Sequence, residues 1–297
     1  MASASIFARE VRSILTHTGG YLGGFTYSLQ PYSGCEFSCA YCYVRELAVQ
    51  RMNPYRLPWS AWISPKTNAP ALLRRDAERG RLDHARIFCS SATDPYTPLE
   101  RTLRLTQACL EVMAECPPAA LLLQTRSPLI VRDAELLARI PRLWASMTVC
   151  TDNENVRRAF EPNAPGTRSR LEALVRLRAA GIRTQAAVAP LLPCDPVRLA
   201  ELLDPIVDRV VVDDFFRGDG AGGRRSGAAL RRLREMGYAR WAEPGYSEDA
   251  IAALRHRLGA ERVLVSQDGF NAVGSESEGG GQAPAAKQGT RGENVTS

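Results

Sequence analysis

Three cysteines fall within eight residues, Cys35, Cys39 and Cys42 in the stretch "GCEFSCAYCY", while the other five are scattered along a chain of 297 residues. Thiolates are metal ligands, so the spacing of three and then two intervening residues asks for a metal site. A closed zinc site needs four ligands, usually as two pairs separated by a dozen or more residues. Here the nearest histidines are His17 and His84, and the next cysteine is Cys89. Three thiolates on one tight loop suit an iron–sulfur cube better: each binds a different iron, and the fourth iron keeps an open, reactive position. Zinc is the alternative on spacing alone.

The elements that must hold this loop show as apolar, β-branched or aromatic runs alternating with amphipathic Arg/Ala/Leu segments, the pattern of β-α units around a parallel sheet. Strands are expected over residues 25–30, 61–65, 85–90, 120–125, 146–151, 183–189 and 209–212. Helices are expected over 69–79, 99–114, 132–139, 168–180 and 196–207, with Gly181 placed as a C-terminal cap. An amphipathic segment over 247–258 precedes a short strand-like "RVLVS". Six or seven β-α units predict one α/β barrel, a partial TIM barrel, whose chemistry sits in the loops after the strands. The cysteine segment is the first such loop. Later ones read "SSATDPY", "TRSPL", "TDNEN", "APLLPCDP" and "DDFFRGDG".

The motif Cys35-x-x-x-Cys39-x-x-Cys42, with Tyr41 before the last cysteine, resembles the signature of radical S-adenosylmethionine (radical SAM) enzymes. The blocks "QPYSGCEFSCAYCYVRE", "SSATDPYTPLE", "TRSPLIVRDAELL", "EPNAPGTRSRLEALVRLRAAGI" and "VAPLLPCD" are similar, in that order, to those of the spore photoproduct lyase-like branch. The resemblance implies a [4Fe–4S] cluster on the three cysteines and S-adenosylmethionine on the open iron. Reductive cleavage of that cofactor would leave a 5′-deoxyadenosyl radical to abstract hydrogen from a substrate that the resemblance does not name. It further implies a partial barrel of six β-α units, an external one-electron reductant such as flavodoxin or ferredoxin, and Tyr41 beside the adenine.

Ser90, Ser91, Thr93 and Asp94 end the strand "ARIFC", where related enzymes hold the amino end of the methionine; Asp94 suits a sulfonium or ammonium, and equally suits capping of the turn at Pro95. Arg126 stands where the branch commonly has a lysine that meets the cofactor's carboxylate. The two are not interchangeable in reach. Thr151 is a candidate for the ribose or methionine end, or a hydroxyl meeting its own backbone. Glu161 and Arg170 resemble a family pair, read as an ion pair shaping the cofactor's wall or as an ordinary surface bridge. Lys66 and Cys89 are candidate catalytic residues. Lys66 ends an expected strand facing the mouth. Cys89, like Cys150 and Cys194, lies near a strand end and serves either core packing or hydrogen-atom return. Cys89 stands five residues before Asp94, too early to align with the thiol that spore photoproduct lyases use.

Of 38 basic residues only Lys66 and Lys287 are lysines, as a GC-rich coding sequence would produce. The net charge of +6 is spread along the chain, and no helix-turn-helix, zinc finger or basic-aromatic strip marks a nucleic-acid face, so a DNA-lesion lyase is the alternative function. A non-catalytic redox module is a further one. No leader and no apolar run near the roughly 18 residues of a membrane span are visible, which places the protein in the cytoplasm with reduced thiols. The expected organisation is a lead-in over 1–24, a barrel over 25–215, a C-terminal extension packing on it over 216–273, and a disordered Gly/Ser-rich tail over 274–297.

Overall fold

The computed structural model describes residues 4–218 and 220–273; the expected disordered tail, 274–297, lies outside the described residues. Eleven strands form among the described residues: β1 (Ser5–Ile6), β2 (Leu15–His17), β3 (Tyr27–Leu29), β4 (Tyr32–Gly34), β5 (Trp62–Pro65), β6 (Arg86–Cys89), β7 (Ala120–Thr125), β8 (Leu143–Thr148), β9 (Arg183–Val188), β10 (Arg209–Val212) and β11 (Val263–Val265). Eight of them make one sheet in the order β11-β10-β9-β8-β7-β6-β3-β2. Every pairing in it is parallel except the antiparallel β2 on β3. Parallel neighbours in chain order, joined by helical crossovers, are the β-α succession that the apolar runs announce.

Both faces of this sheet are buried, and the period of two in a strand decides which residues go where. Ile87, Leu121, Leu123, Met147, Ala186, Val188, Val210 and Val212 belong to the large core shared with the helices. Their neighbours Phe88, Leu122, Trp144, Ala187 and Val211 form a second apolar layer with Phe25 and Phe270 on the opposite face. A polar step lies on that same face: Arg209 Nε donates to Gln185 Oε1 at 2.7 Å, Gln185 Nε2 donates to Ser146 Oγ at 2.9 Å, and the Arg209 guanidinium sits 3.8 Å from the Trp144 ring centre.

Several boundaries depart from the sequence reading. The segment over 61–65 is not a strand of the main sheet: β5 joins a small sheet of order β1-β5-β4, antiparallel to β4 and parallel to β1. Its four residues are all buried, and an apolar run reads alike in either sheet. Strand β8 begins at Leu143 and ends at Thr148, so Thr151 lies beyond it in the loop. The helix expected over 99–114 breaks at Arg104, which adopts the left-handed conformation, into Glu100–Leu103 and Leu105–Glu115. The buried Glu100 carboxylate causes the break, accepting from the backbone of Thr106 at 3.0 Å and Gln107 at 3.1 Å at the start of the second helix. Helix Thr167–Ala179 ends at Gly181, whose φ of +76° is the left-handed cap expected of it.

The hydrogen-bonded order of the sheet is linear, and the last described helix, Ser266–Asn271, lies against the turn Gly20–Leu22 at the other edge. Gln267 Nε2 donates to the Gly20 carbonyl at 2.9 Å and Gly24 N donates to Asn271 Oδ1 at 3.2 Å. A Cβ on Gly24 would stand 2.5 Å from Asn271 Cβ, so the glycine permits this approach. No helix among the described residues is long and apolar enough to cross a membrane.

Candidate active site

The cysteine loop leaves β4 through Gly34, at φ +78°, where a Cβ would stand 2.4 Å from the Trp62 carbonyl oxygen; only glycine meets both demands. The loop is then tied down at several points. Ala40 N donates to the Phe160 carbonyl at 2.7 Å, Asn163 Nδ2 to the Glu36 carbonyl at 2.9 Å, Arg45 Nη2 to the Cys39 carbonyl at 2.6 Å, and the Thr93 hydroxyl to the Gly34 carbonyl. Cys35, Cys39 and Cys42 thereby line one wall of a cavity of about 380 Å³ over the C-terminal ends of the strands.

Burial pushes all three thiols up, Cys35 well above its ordinary value and Cys39 to about 12. They bind metal only by giving up protons. Among the described residues no three Cys, His, Asp or Glu side chains are placed to hold a single ion. An iron–sulfur cluster does not ask for that, because it receives each thiolate at a different iron. Three thiols on one cavity wall, with a guanidinium against the middle one, fit such a group.

That guanidinium is Arg126, at the end of β7. Its Nη1 donates to Cys39 Sγ and to the Tyr41 hydroxyl, each at 2.8 Å, and to Glu161 Oε1 at 3.1 Å. The Tyr41 hydroxyl donates to Glu161 and lies 3.4 Å from Cys150 Sγ. Behind it, Arg170 pairs with the other Glu161 oxygen, donates to the Pro165 carbonyl from Nε at 2.9 Å and Nη2 at 2.7 Å, and donates to the Thr148 carbonyl at 3.0 Å. Burial alone would raise Glu161, but Arg170 and Arg126 outweigh it and hold the carboxylate at about 2. Glu161 and Arg170 therefore make a buried ion pair, not a surface bridge, and it braces the wall that carries Cys39 and Tyr41.

The segment after β6 forms the adjoining wall. Ser90, Ser91, Thr93 and Asp94 all line the cavity. Asp94 is heavily engaged: Oδ1 accepts from Tyr96 N at 2.9 Å and Thr125 Oγ1 at 2.6 Å, and Oδ2 accepts from Arg126 N at 2.9 Å. It thus caps its own turn and locks the end of β7 at once. With its amide oxygen turned toward them, Gln30 accepts from the Ser91 backbone and hydroxyl at 2.8 Å each.

Three candidates stand elsewhere. Thr151 is buried outside the cavity lining, its hydroxyl donating to the Pro193 carbonyl at 2.6 Å; Thr148, at the true end of β8, lines the cavity in its place. Cys89 alternates with Phe88 and Ser90 and so falls on the helix-covered face, inside the core. Lys66 belongs to the small sheet and does not line the cavity; burial, with Arg9 nearby, lowers its ammonium to about 8. Cys150 sits behind Tyr41, and Cys194 does not line the cavity.

The opposite wall holds residues that the sequence reading missed. Asp213, just past β10, accepts from the Tyr21 hydroxyl and, at 2.9 Å, from Asp214 N. Burial pushes it up to about 6. Gly218 leaves room for it: a Cβ there would stand 2.5 Å from Asp213 Oδ2. Phe270 completes this side, while Tyr43, next to Cys42, donates from its hydroxyl to the Ser91 carbonyl at 3.0 Å. The paired acids closing "RVVVDD" at a strand end were the available signal; Tyr21, 192 residues from its partner, gave none.

Residues 29–202 match the family model of the radical SAM superfamily, more than half of the chain. An uncharacterised protein of Methanocaldococcus jannaschii is 29% identical over 170 residues, covering 57% of this chain and 62% of that one. A radical SAM Nalpha-GlyT isomerase of Pseudomonas phage M6 is 28% identical over 260 residues, covering 87% of this chain and 48% of that one. The chain thus spans less than two thirds of the length of these curated relatives. Among solved structures, spore photoproduct lyase complexed with dinucleoside spore photoproduct superposes with a TM-score of 0.58 at 14% identity, covering 88% of this chain and 81% of that one, which is a likeness of fold. The family match takes in all three cysteines, Arg126, Glu161, Arg170 and the segment Ser90–Asp94, though not the Tyr21–Asp213 wall, and on it the chain belongs to the radical SAM superfamily.

Proposed function

We propose that this protein binds a [4Fe–4S] cluster through Cys35, Cys39 and Cys42 and cleaves S-adenosylmethionine reductively, generating a 5′-deoxyadenosyl radical that abstracts hydrogen from a substrate in the same cavity. The observation that carries this is the convergence of three thiols, Tyr41, Arg126 and the Ser91–Asp94 segment on one cavity at the strand ends. The chain's own task is placement. Arg126 favours the thiolate form of Cys39, Tyr41 and the polar segment after β6 offer surfaces for the adenosyl and methionine parts, and the apolar layer beneath keeps water from the reacting groups.

Anaerobic reconstitution should load about four irons and four sulfides per chain. Cys35→Ala, Cys39→Ala or Cys42→Ala should each abolish the loading, and reductant plus cofactor should yield 5′-deoxyadenosine only with the unmodified chain. A reconstituted chain that takes one zinc, no cluster and no cofactor sinks the reading. For the reaction itself, similarity to the phage isomerase over 87% of this chain favours isomerisation over lesion cleavage. Chromatography with fragment-ion analysis of candidate nucleic-acid, peptide and metabolite pools separates the two by which species is consumed and which bond has changed, since a strand whose base–base cross-link is reversed keeps its mass just as an isomer does.

A further inference from the structure

A second concavity lies outside the cavity, on the small sheet, lined by Arg9, Val49, Met52, Pro54, Tyr55 and Trp62. It is joined to the cysteine loop by a run of rings. Trp59 lines the same cavity as Cys42. Trp59 then meets Trp62 edge-on at 6.0 Å between ring centres, Trp62 meets Tyr55 at 5.5 Å, and Tyr55 stacks on Phe7 at 3.9 Å with planes 8° apart. Trp62 is fixed between them by its indole N–H, which donates to Gln50 Oε1 at 3.0 Å. At the outer end the surface is apolar and basic. Met52, in the lining, is 79% exposed, far beyond what a core-forming side chain shows. Arg9 lines the concavity, and Arg12, Arg51 and Arg56, with Glu10 and Glu46, are exposed on stretches of chain adjoining the lining residues in sequence.

We propose that this face docks an acidic one-electron carrier protein, of the flavodoxin or ferredoxin kind, and that the ring series over Trp59, Trp62 and Tyr55 fills the path between its redox group and the cluster. The inference rests on the reading that Cys42 binds the cluster. Charge selects the occupant: a basic, apolar-centred patch steers an acidic partner of matching shape. With a flavodoxin the step is balanced by one electron alone. The anionic flavin hydroquinone becomes the neutral semiquinone, the cluster falls from the 2+ to the 1+ state, and no proton moves.

The test uses the full chain and an acidic flavodoxin. Binding of oxidised flavodoxin is measured by calorimetry at low and high salt, on the chain with and without its cluster, and cluster bleaching is followed by stopped flow with flavodoxin hydroquinone or with dithionite. Met52→Glu and Arg9→Glu, both at exposed positions, should weaken binding at least tenfold and slow bleaching by flavodoxin in proportion, while bleaching by dithionite stays unchanged. Raised salt should weaken binding of the unmodified chain. Equal affinity for the variants and the unmodified chain overturns the proposal. So does weakened binding of a DNA duplex with flavodoxin binding intact, which would make this a nucleic-acid face. A chain that holds no cluster fails the proposed function and not this one, because calorimetry still reads docking.

Discussion

The two walls of the cavity are built by different means. On the cysteine side, Cys39, Tyr41, Arg126, Glu161 and Arg170 form one buried run of charge and hydrogen bonds, each member satisfied by the next. On the far side, Asp213 accepts from Tyr21 and from Asp214 N, Asp214 accepts from Ser247 and from the backbone of Phe216 and Arg217, room is made by Gly218, and the cover is Phe270 from the last described helix. A buried network tolerates little change, because removing one member leaves another charge uncompensated. A wall held by separate hydrogen bonds and a glycine can be altered piece by piece. On the proposed function, the shared chemistry of the superfamily falls to the first wall and the choice of substrate to the second.

The largest blow to this contrast comes from Arg170→Met, which strands Glu161 and should cost about 3–5 kcal/mol in denaturant unfolding; a loss as small as that of a surface arginine would erase the distinction between the walls. Gly34→Ala comes next. Its positive φ and the Trp62 carbonyl should cost about 1–3 kcal/mol and lower iron loading, with the far wall untouched.

Acid separates the walls further. Glu161, held at about 2, contributes stability that is present above the ordinary glutamate value of 4.5 and is lost as pH falls toward 2. Asp213 has the opposite sign. Between 3.8 and about 6 the unfolded chain has released a proton that the native one keeps, so stability falls as pH rises through that window. Asp213→Asn should flatten this slope, with Tyr21, Tyr43, Asp214, Ser266 and Arg225 the groups that surround the change. The smallest effect is expected of Cys89→Ala, which should leave 5′-deoxyadenosine production unchanged because the thiol lies across the sheet from the cavity. Lost turnover would return Cys89 to the list of reacting groups.

What could be read from the sequence follows the same division. Local spacing carried the cysteine loop, the cap at Gly181 and the polar segment Ser90–Asp94, since each depends on neighbours a few residues away. Which sheet a buried run joins is a tertiary choice, so Trp62–Pro65 went to the wrong one and took Lys66 with it. A three-residue error at β8 moved Thr151 out of the cavity and left Thr148 unnoticed. Tyr21 and Phe270 were invisible for a plainer reason: an isolated aromatic gives no hint of a partner two hundred positions away.

The hydroxyl of Tyr41 reaches Glu161, 120 residues further along the chain. During synthesis at roughly 5–20 residues per second, the thiols beside it are therefore on the outside of a growing polypeptide for about 6 to 24 s before the groups that shelter them exist. On the proposed cluster assignment, iron and sulfide would be loaded into a sheltered site only after Arg126, Glu161 and Arg170 have emerged, when more than half of the chain has been made.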